Sequence, residues 1–397
     1  MLFRVLRGAL LMALLSLGFG ALAQQGTPIP PALLTATNSF GFNLYAELAK
    51  TDGAKNLIIS PVSLEYALML LANGAHGDTA TQIESALAWG KTPLDQVNAG
   101  FLALTPRLST DPRAHISLAN SLWLTNNDTF RDAFLQMNKL VFGAETHAAD
   151  FGNPDTDVDK MNAWVKTQTH GSITKIISKE DVDATTTLVA LSALAFKGDW
   201  TTSFDPKLTS DQPFTLADGT PLKVKMMRRH DQLLYFADDQ MQMVKLPYGN
   251  GNYSMIVILP RAGQTLNAVA GNLFGANSWP KYLSHLAPRN GTLQLPRFTA
   301  GYLITLNEAL KSLGMPQAFD GGDAEFTGLI GDNETCWLQL LIHKTALEVS
   351  ETGTKTATAP GAGDAPPVTM TVNHPFLFAI QQKDGALLLL GSIAKPE

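Results

Sequence analysis

Between Val349 and Val368 the chain carries no large apolar side chain. The stretch reads SETGTKTATAPGAGDAPP, and the strand-like segments HKTALEV and VTMTV flank it. Such a composition has nothing to bury, so taken alone the stretch is a solvated loop or linker. Apolar, strand-like sequence resumes after it and runs almost to the last residue. The fold therefore has to accommodate a long, small, polar excursion close to its C-terminal end and then close with the chain that follows.

There is ample material for a core. Of 397 residues 45% are hydrophobic and 16% charged, which fits two or three ordinary domains or one large one. The formal charge of −6 offers no basic excess for nucleic acid or an anionic membrane, so neither is expected as a partner. Cys336 is the single cysteine, which rules out an intrachain disulfide; beside Trp337 and Leu338 it reads as a buried thiol. Residues 1–23 have the layout of a signal peptide: Arg4 and Arg7, an apolar run too short and glycine-containing for a membrane span, then Ala21-Leu22-Ala23. The expected mature chain, 24–397, keeps 27 basic and 35 acidic side chains, a net −8. It is expected to be secreted, extracellular or periplasmic.

Helical periodicity runs over Leu33 to Lys50. Ser60 and Pro61 form an N-cap and first-turn pair ahead of an apolar run that ends near Gly74. Asp78 reads as the cap of a further helix. In NPDTDVDKMNAWVKTQTHG acids come early, bases late and Gly171 follows, as the helix dipole favours. Later, QMVKLPYGNGNYSMIVILP predicts strand, Gly-Asn turn and strand; TLQLPRF alternates like a strand. Glu308 to Leu313 predicts a helical turn ending at Gly314. The tail predicts a strand, then two buried strands joined at Asp384-Gly385. Helices crowd the first half and strands the second, with no linker between them. The expected class is α+β in one large domain.

Local catalytic motifs are absent: no G-x-S-x-G, H-E-x-x-H, phosphate loop or C-x-x-C occurs. The histidines at 76, 115, 147, 170, 230, 285, 343 and 374 do not fall at metal-ligand spacing, and Asp181-Val182-Asp183 reads as a solvated turn. No cofactor or metal is expected, and the chain is not expected to be an enzyme.

Several stretches in fixed order, from about residue 33 to 395, resemble the serpin family of protease inhibitors. They are NLIISPVSLEYALMLLANGAHGDTATQIESAL, MNAWVKTQTHGSITKII, ALAFKGDWTTSFDP, MVKLPYGNGNYSMIVILP, LQLPRF, HKTALEVSETGTKTATA and NHPFLFAI. The resemblance implies a large mixed central sheet with helices packed around it, a further antiparallel sheet, and an exposed reactive loop, here about 351–372. It also implies a mechanism. A serine protease attacks the loop and forms a covalent acyl complex, and the loop then inserts into the sheet as a new strand and carries the protease with it. The partner is that target protease, and the inhibitor is expected to be a monomer.

Residue by residue, the resemblance makes Glu351, Gly353, Thr354, Lys355, Thr356, Ala357, Thr358 and Ala359 the hinge. Thr354, Thr356 and Thr358 share one face by strand periodicity and are small enough to insert. Ser60, Ser63 and His343, with Ser192 where the family usually has asparagine, match a polar cluster at the opening of the sheet. Trp200 matches a tryptophan near the top of the sheet, and Arg297 with Glu351 a basic–acidic pair at the hinge base. Two features depart from the inhibitory pattern. Pro360 lies inside the inserting segment, and the loop is short: counting forward from Gly353 puts the reactive residue at Pro367, counting back from Asn373 at Asp364. Proline suits few serine proteases. Val368-Thr369, preceded by APP, suits an elastase-like pocket and is the first choice; Asp364-Ala365, for an Asp-specific protease, is the second. A non-inhibitory serpin acting as a binding or carrier module is the alternative, and an exported hydrolase a remote one.

Overall fold

The computed structural model describes residues 29–109, 111–331, 335–353 and 366–397. The leader 1–23, the hinge residues Thr354 to Ala359, Pro360 and the bond Asp364-Ala365 lie outside them. In chain order the helices are α1 (Pro31–Asp52), α2 (Pro61–Ala72), α3 (Gly77–Ala86), α4 (Leu94–Leu104), α5 (Asp132–Phe142), α6 (Pro154–Gln168), α7 (Leu266–Leu273), α8 (Ser278–Ser284) and α9 (Asn307–Ser312). The strands are β1 (Leu57–Ile59), β2 (Ala114–Thr125), β3 (Glu145–Ala149), β4 (Leu188–Gly198), β5 (Ser210–Thr215), β6 (Pro221–Ala237) and β7 (Met241–Tyr248). They continue with β8 (Tyr253–Pro260), β9 (Ala287–Pro296), β10 (Phe298–Thr305), β11 (Leu338–Val349), β12 (Val368–Thr371), β13 (Phe376–Gln382) and β14 (Leu387–Ile393).

Local chemistry explains some helix ends. The Ser60 side chain accepts the Ser63 N–H and Pro61 opens α2, as expected. Past α6, Gly171 takes φ +81° and its N–H reaches the Lys166 carbonyl. Asp78, expected as a cap, instead lies in the first turn of α3. Its N–H is met at 2.9 Å by the Glu325 carboxylate, a partner 247 residues away that replaces a local cap.

Strands collect into two sheets. Five form a mixed sheet in the order β10-β11-β4-β2-β3. Nine form the other, β1-β14-β13-β8-β7-β6-β9-β12 with β5 on β6, antiparallel except where β12 meets β9. The class is α+β, with a mixed sheet, a second sheet and helices around them. The central strands of the five-stranded sheet are covered on both faces. On one it joins the main core, where α2 is buried along its whole length. On the other, Val158, Met161 and Val165 of α6 cover Val189, Leu191 and Ala193 of β4. Within this sheet β4 and β11 are parallel and paired at ten positions, from Leu338↔Leu188 to Glu348↔Lys197.

Candidate functional site

The polar excursion leaves from the C-terminal end of β11. There Ser350, Glu351 and Thr352 end their carbonyls on one short segment after β4. Trp200 Nε1 donates to Ser350 O at 2.7 Å, the Phe204 N–H to Glu351 O at 3.2 Å, and the Trp200 N–H to Thr352 O at 2.9 Å. Trp200 is itself buried and stacked on Tyr248, ring centroids 4.1 Å apart. Gly353 bridges to Trp200, and a Cβ there would stand 2.4 Å from the Trp200 carbonyl oxygen. Only glycine tolerates that approach, so this position, expected in the hinge, is fixed by contact and not by turn geometry.

Glu351 is brought to both expected and unexpected partners. Its Oε1 accepts from Thr209 Oγ1 at 2.8 Å, while Arg297 Nη1 stands 3.7 Å from Oε2 and is half exposed. A pair that loose and wet is worth under ~1 kcal/mol. Sequence reading missed Lys197 and Glu348, which pair at 2.9 Å across the last rung of β4 and β11. Opposite charges at the two strand ends were the signal, but only the register makes them neighbours. A cleft of about 520 Å³ lies beside the hinge base, lined by Lys225, Arg297, Glu348, Ser350 and Lys395.

Ser60, Ser63, Ser192 and His343 come together in the middle of the same strand pair, all fully buried. The Ser60 N–H donates to His343 Nε2 at 3.0 Å. That leaves the ring proton on Nδ1, which donates to Ser192 Oγ at 3.1 Å. Ser192 can then donate to Ser63 Oγ at 2.9 Å, and Ser63 to the Ala193 carbonyl at 3.3 Å. The chain of bonds runs one way and every proton has an acceptor. Burial, opposed by the bond with Ser192, holds the His343 pKa down at about 3, so the ring is neutral. His343 and Ser192 are register partners on β11 and β4, so parting the two strands breaks their bond. On β2 the next residue in the row is Asn120, whose buried amide atoms have no hydrogen-bond partner among the described residues. Ser192→Ala should strand the Nδ1 proton and cost the native state about 1–3 kcal/mol. The expected readout is a lower urea midpoint for uncleaved protein and a smaller change after loop cleavage; equal changes would show that the cluster does not guard the opening.

Past the excursion, Pro366 and β12 have partners on β9 and β7. Arg289 Nη2 donates to the Pro366 carbonyl at 3.1 Å and Gln242 Nε2 to the Thr369 carbonyl at 3.1 Å. Val368 and Thr369, the first-choice reactive bond, lie in β12, paired in parallel with Gly291 and Thr292 of β9. Cys336 is buried as expected. Among the described residues no group of His, Cys, Asp or Glu has metal-site geometry, and no helix is long and apolar enough to cross a membrane.

β4 and β11 are thus parallel neighbours with a hydrogen-bonded polar cluster between them, and the small, polar stretch begins where β11 ends. Iripin-2 of Ixodes ricinus is 32% identical over 378 residues, covering 91% of this chain and 93% of its own. Leukocyte elastase inhibitor of Homo sapiens is 30% identical over 380 residues, 92% of this chain and 99% of its own. The crystal structure of native protease nexin-1 with heparin superposes with a TM-score of 0.85 at 28% identity, over 92% of this chain and 99% of that one. A family profile described as serpin (serine protease inhibitor) matches residues 35–396, and the chain belongs to that family, one of protease inhibitors and not of catalysts.

Proposed function

We propose that the protein inhibits a serine protease as a suicide substrate, by inserting its cleaved loop between β4 and β11. One observation carries this reading: β4 and β11 are parallel neighbours, and the loop departs from the C-terminal end of β11. A strand turning back at that point runs antiparallel to both. One parallel pairing is then exchanged for two antiparallel ones, which are slightly more stable per residue. The length suits it. Thr354 to Asp364 is eleven residues, about 36 Å extended, and β4 is also eleven.

The pairing of Val368 and Thr369 with β9 favours the second-choice bond. Proteases grip substrate as an extended strand, which needs an unpaired backbone around the cut. Cutting Val368-Thr369 would require β12 to peel from β9. Asp364-Ala365 lies just upstream of the clamp at Pro366, and an Asp-specific serine protease is the partner it fits. The reading includes export after removal of residues 1–23, the remainder acting as one domain and as a monomer, with neither nucleic acid nor membrane as partner.

The test is to expose the protein to a panel of serine proteases. A denaturant-resistant complex, together with a released C-terminal peptide beginning at Ala365, supports the reading. A peptide beginning at Thr369, released by an elastase-like enzyme, moves the bond to Val368. Cleavage with no complex and no gain in heat resistance would leave a non-inhibitory binding module, the outcome that Pro360 inside the inserting segment favours.

A further inference from the structure

Arg229 is a buried charge whose hydrogen bond and ring contact both fall on the segment after β4. It stands on β6 at 7% exposure. Its Nη1 donates to the Thr202 carbonyl at 2.6 Å, and its guanidinium carbon lies 5.1 Å over the Phe204 ring. Nε is buried with no hydrogen-bond partner among the described residues. Asp231, two residues along the strand and so on the same face, supplies the opposing charge and is buried as well.

A buried cation is costly, and an apolar side chain of similar volume would often serve stability as well or better. What the guanidinium does that an apolar chain cannot is hold Thr202 by its carbonyl while capping Phe204 with charge. Thr202 and Phe204 belong to the segment on which the carbonyls of Ser350, Glu351 and Thr352 end. Two of its amides, Trp200 and Phe204, are donors to Thr352 and Glu351. Arg229 touches none of the hinge residues' carbonyls itself; it fixes the piece of backbone that does.

We infer that Arg229 is a positioning residue for hinge release: by clamping Thr202 and Phe204 it sets how readily Ser350 to Thr352 let go and allow the loop into the sheet. The inference rests on the insertion mechanism proposed above. Arg229→Met keeps length and apolar bulk but removes the donor and the charge, and Arg229→Lys keeps both without the planar fork.

The experiment measures amide hydrogen exchange in uncleaved protein with no protease present. The expected result is about tenfold faster exchange at Trp200 and Phe204 in Arg229→Met, the size of losing one charge-assisted hydrogen bond, with Arg229→Lys in between. Amides in β13, remote from the segment, should keep their parental rates. Unchanged exchange at Trp200 and Phe204 overturns the inference, and so does an equal acceleration everywhere, which is general destabilisation. If Arg229→Met fails to fold, Phe204→Leu removes the ring face instead and should accelerate the same two amides; parental rates there also overturn it. A parent protein that traps no protease would defeat the proposed function, while these amides would still decide the role of Arg229.

Discussion

Replacing Thr354 with arginine should turn the protein from a trap for its protease into a substrate that is cut and released. Thr354 is the first residue past Gly353, where the chain leaves the Trp200 segment, so it is the first that must pass between β4 and β11. Leu188, Leu194, Leu341 and Leu347 turn one face of that strand pair into the main core, and Val189, Leu191, Ala193 and Ile342 turn the other toward α6. A guanidinium carried in there without a partner costs several kcal/mol. Insertion competes as a rate with hydrolysis of the acyl-enzyme, and about 1.4 kcal/mol on the barrier is a factor of ten. The trapped fraction should therefore fall more than tenfold, while the cut stays at the same bond. Lys355 falls on the opposite face by strand periodicity, so Lys355→Ala should leave trapping near the parental level. Denaturing gels of protease mixed with each variant read both results. Thr354→Arg trapping as well as the parent would mean that insertion does not begin here.

What was legible in the sequence follows from the range of the forces involved. The start of α2 and the tail hairpin of β13 and β14 are set by near neighbours in sequence, and Ser60, Pro61 and Gly385 announce them. β4 is different. LVALSALAFKG is buried on both faces, so it lacks the alternation that marks a half-exposed strand, and its leucines and alanines favour a helix as readily. For that reason a sheet that begins before residue 200 was hidden in a half that reads as helical. The lock was legible as separate residues through family resemblance, but the direction of its hydrogen bonds was not, because Ser192 and His343 are 151 residues apart. The reactive bond went to Val368 on side-chain chemistry; nothing local to VTMTV announces that it pairs with Gly291 to Gln294. Arg229 gave no signal at all, one basic residue of two in MMRRH until packing buried it.

Glu65→Gln should change the slope of stability against pH, not merely its level. Glu65 sits on α2, fully buried, with Oε1 accepting from Trp89 Nε1 at 2.9 Å and Oε2 without a hydrogen-bond partner among the described residues. Burial, opposed by hydrogen bonds from Thr37 and Trp89, raises its pKa from 4.5 to about 7. The folded protein therefore holds a proton that the unfolded chain has lost between those values, and stability falls as pH rises from 4.5 to about 7. The full effect is on the order of 3 kcal/mol. His343 works in the opposite sense. Its folded pKa of about 3 lies below the ordinary 6.5, so its contribution is complete above 6.5 and is lost as pH falls toward 3. Between pH 4.5 and 6.5 the two slopes oppose each other, and the parent should show a plateau. Glutamine fills the same space without titrating, so the variant should climb through that window by about 1.4 kcal/mol per pH unit. Urea midpoints of parent and variant at pH 4.5, 5.5, 6.5 and 7.5 make the comparison, and the gap between them should widen by about 3 kcal/mol across the series. A constant gap would mean that Glu65 is already ionised at the acid end, and that the buried carboxylate is compensated by something other than its proton.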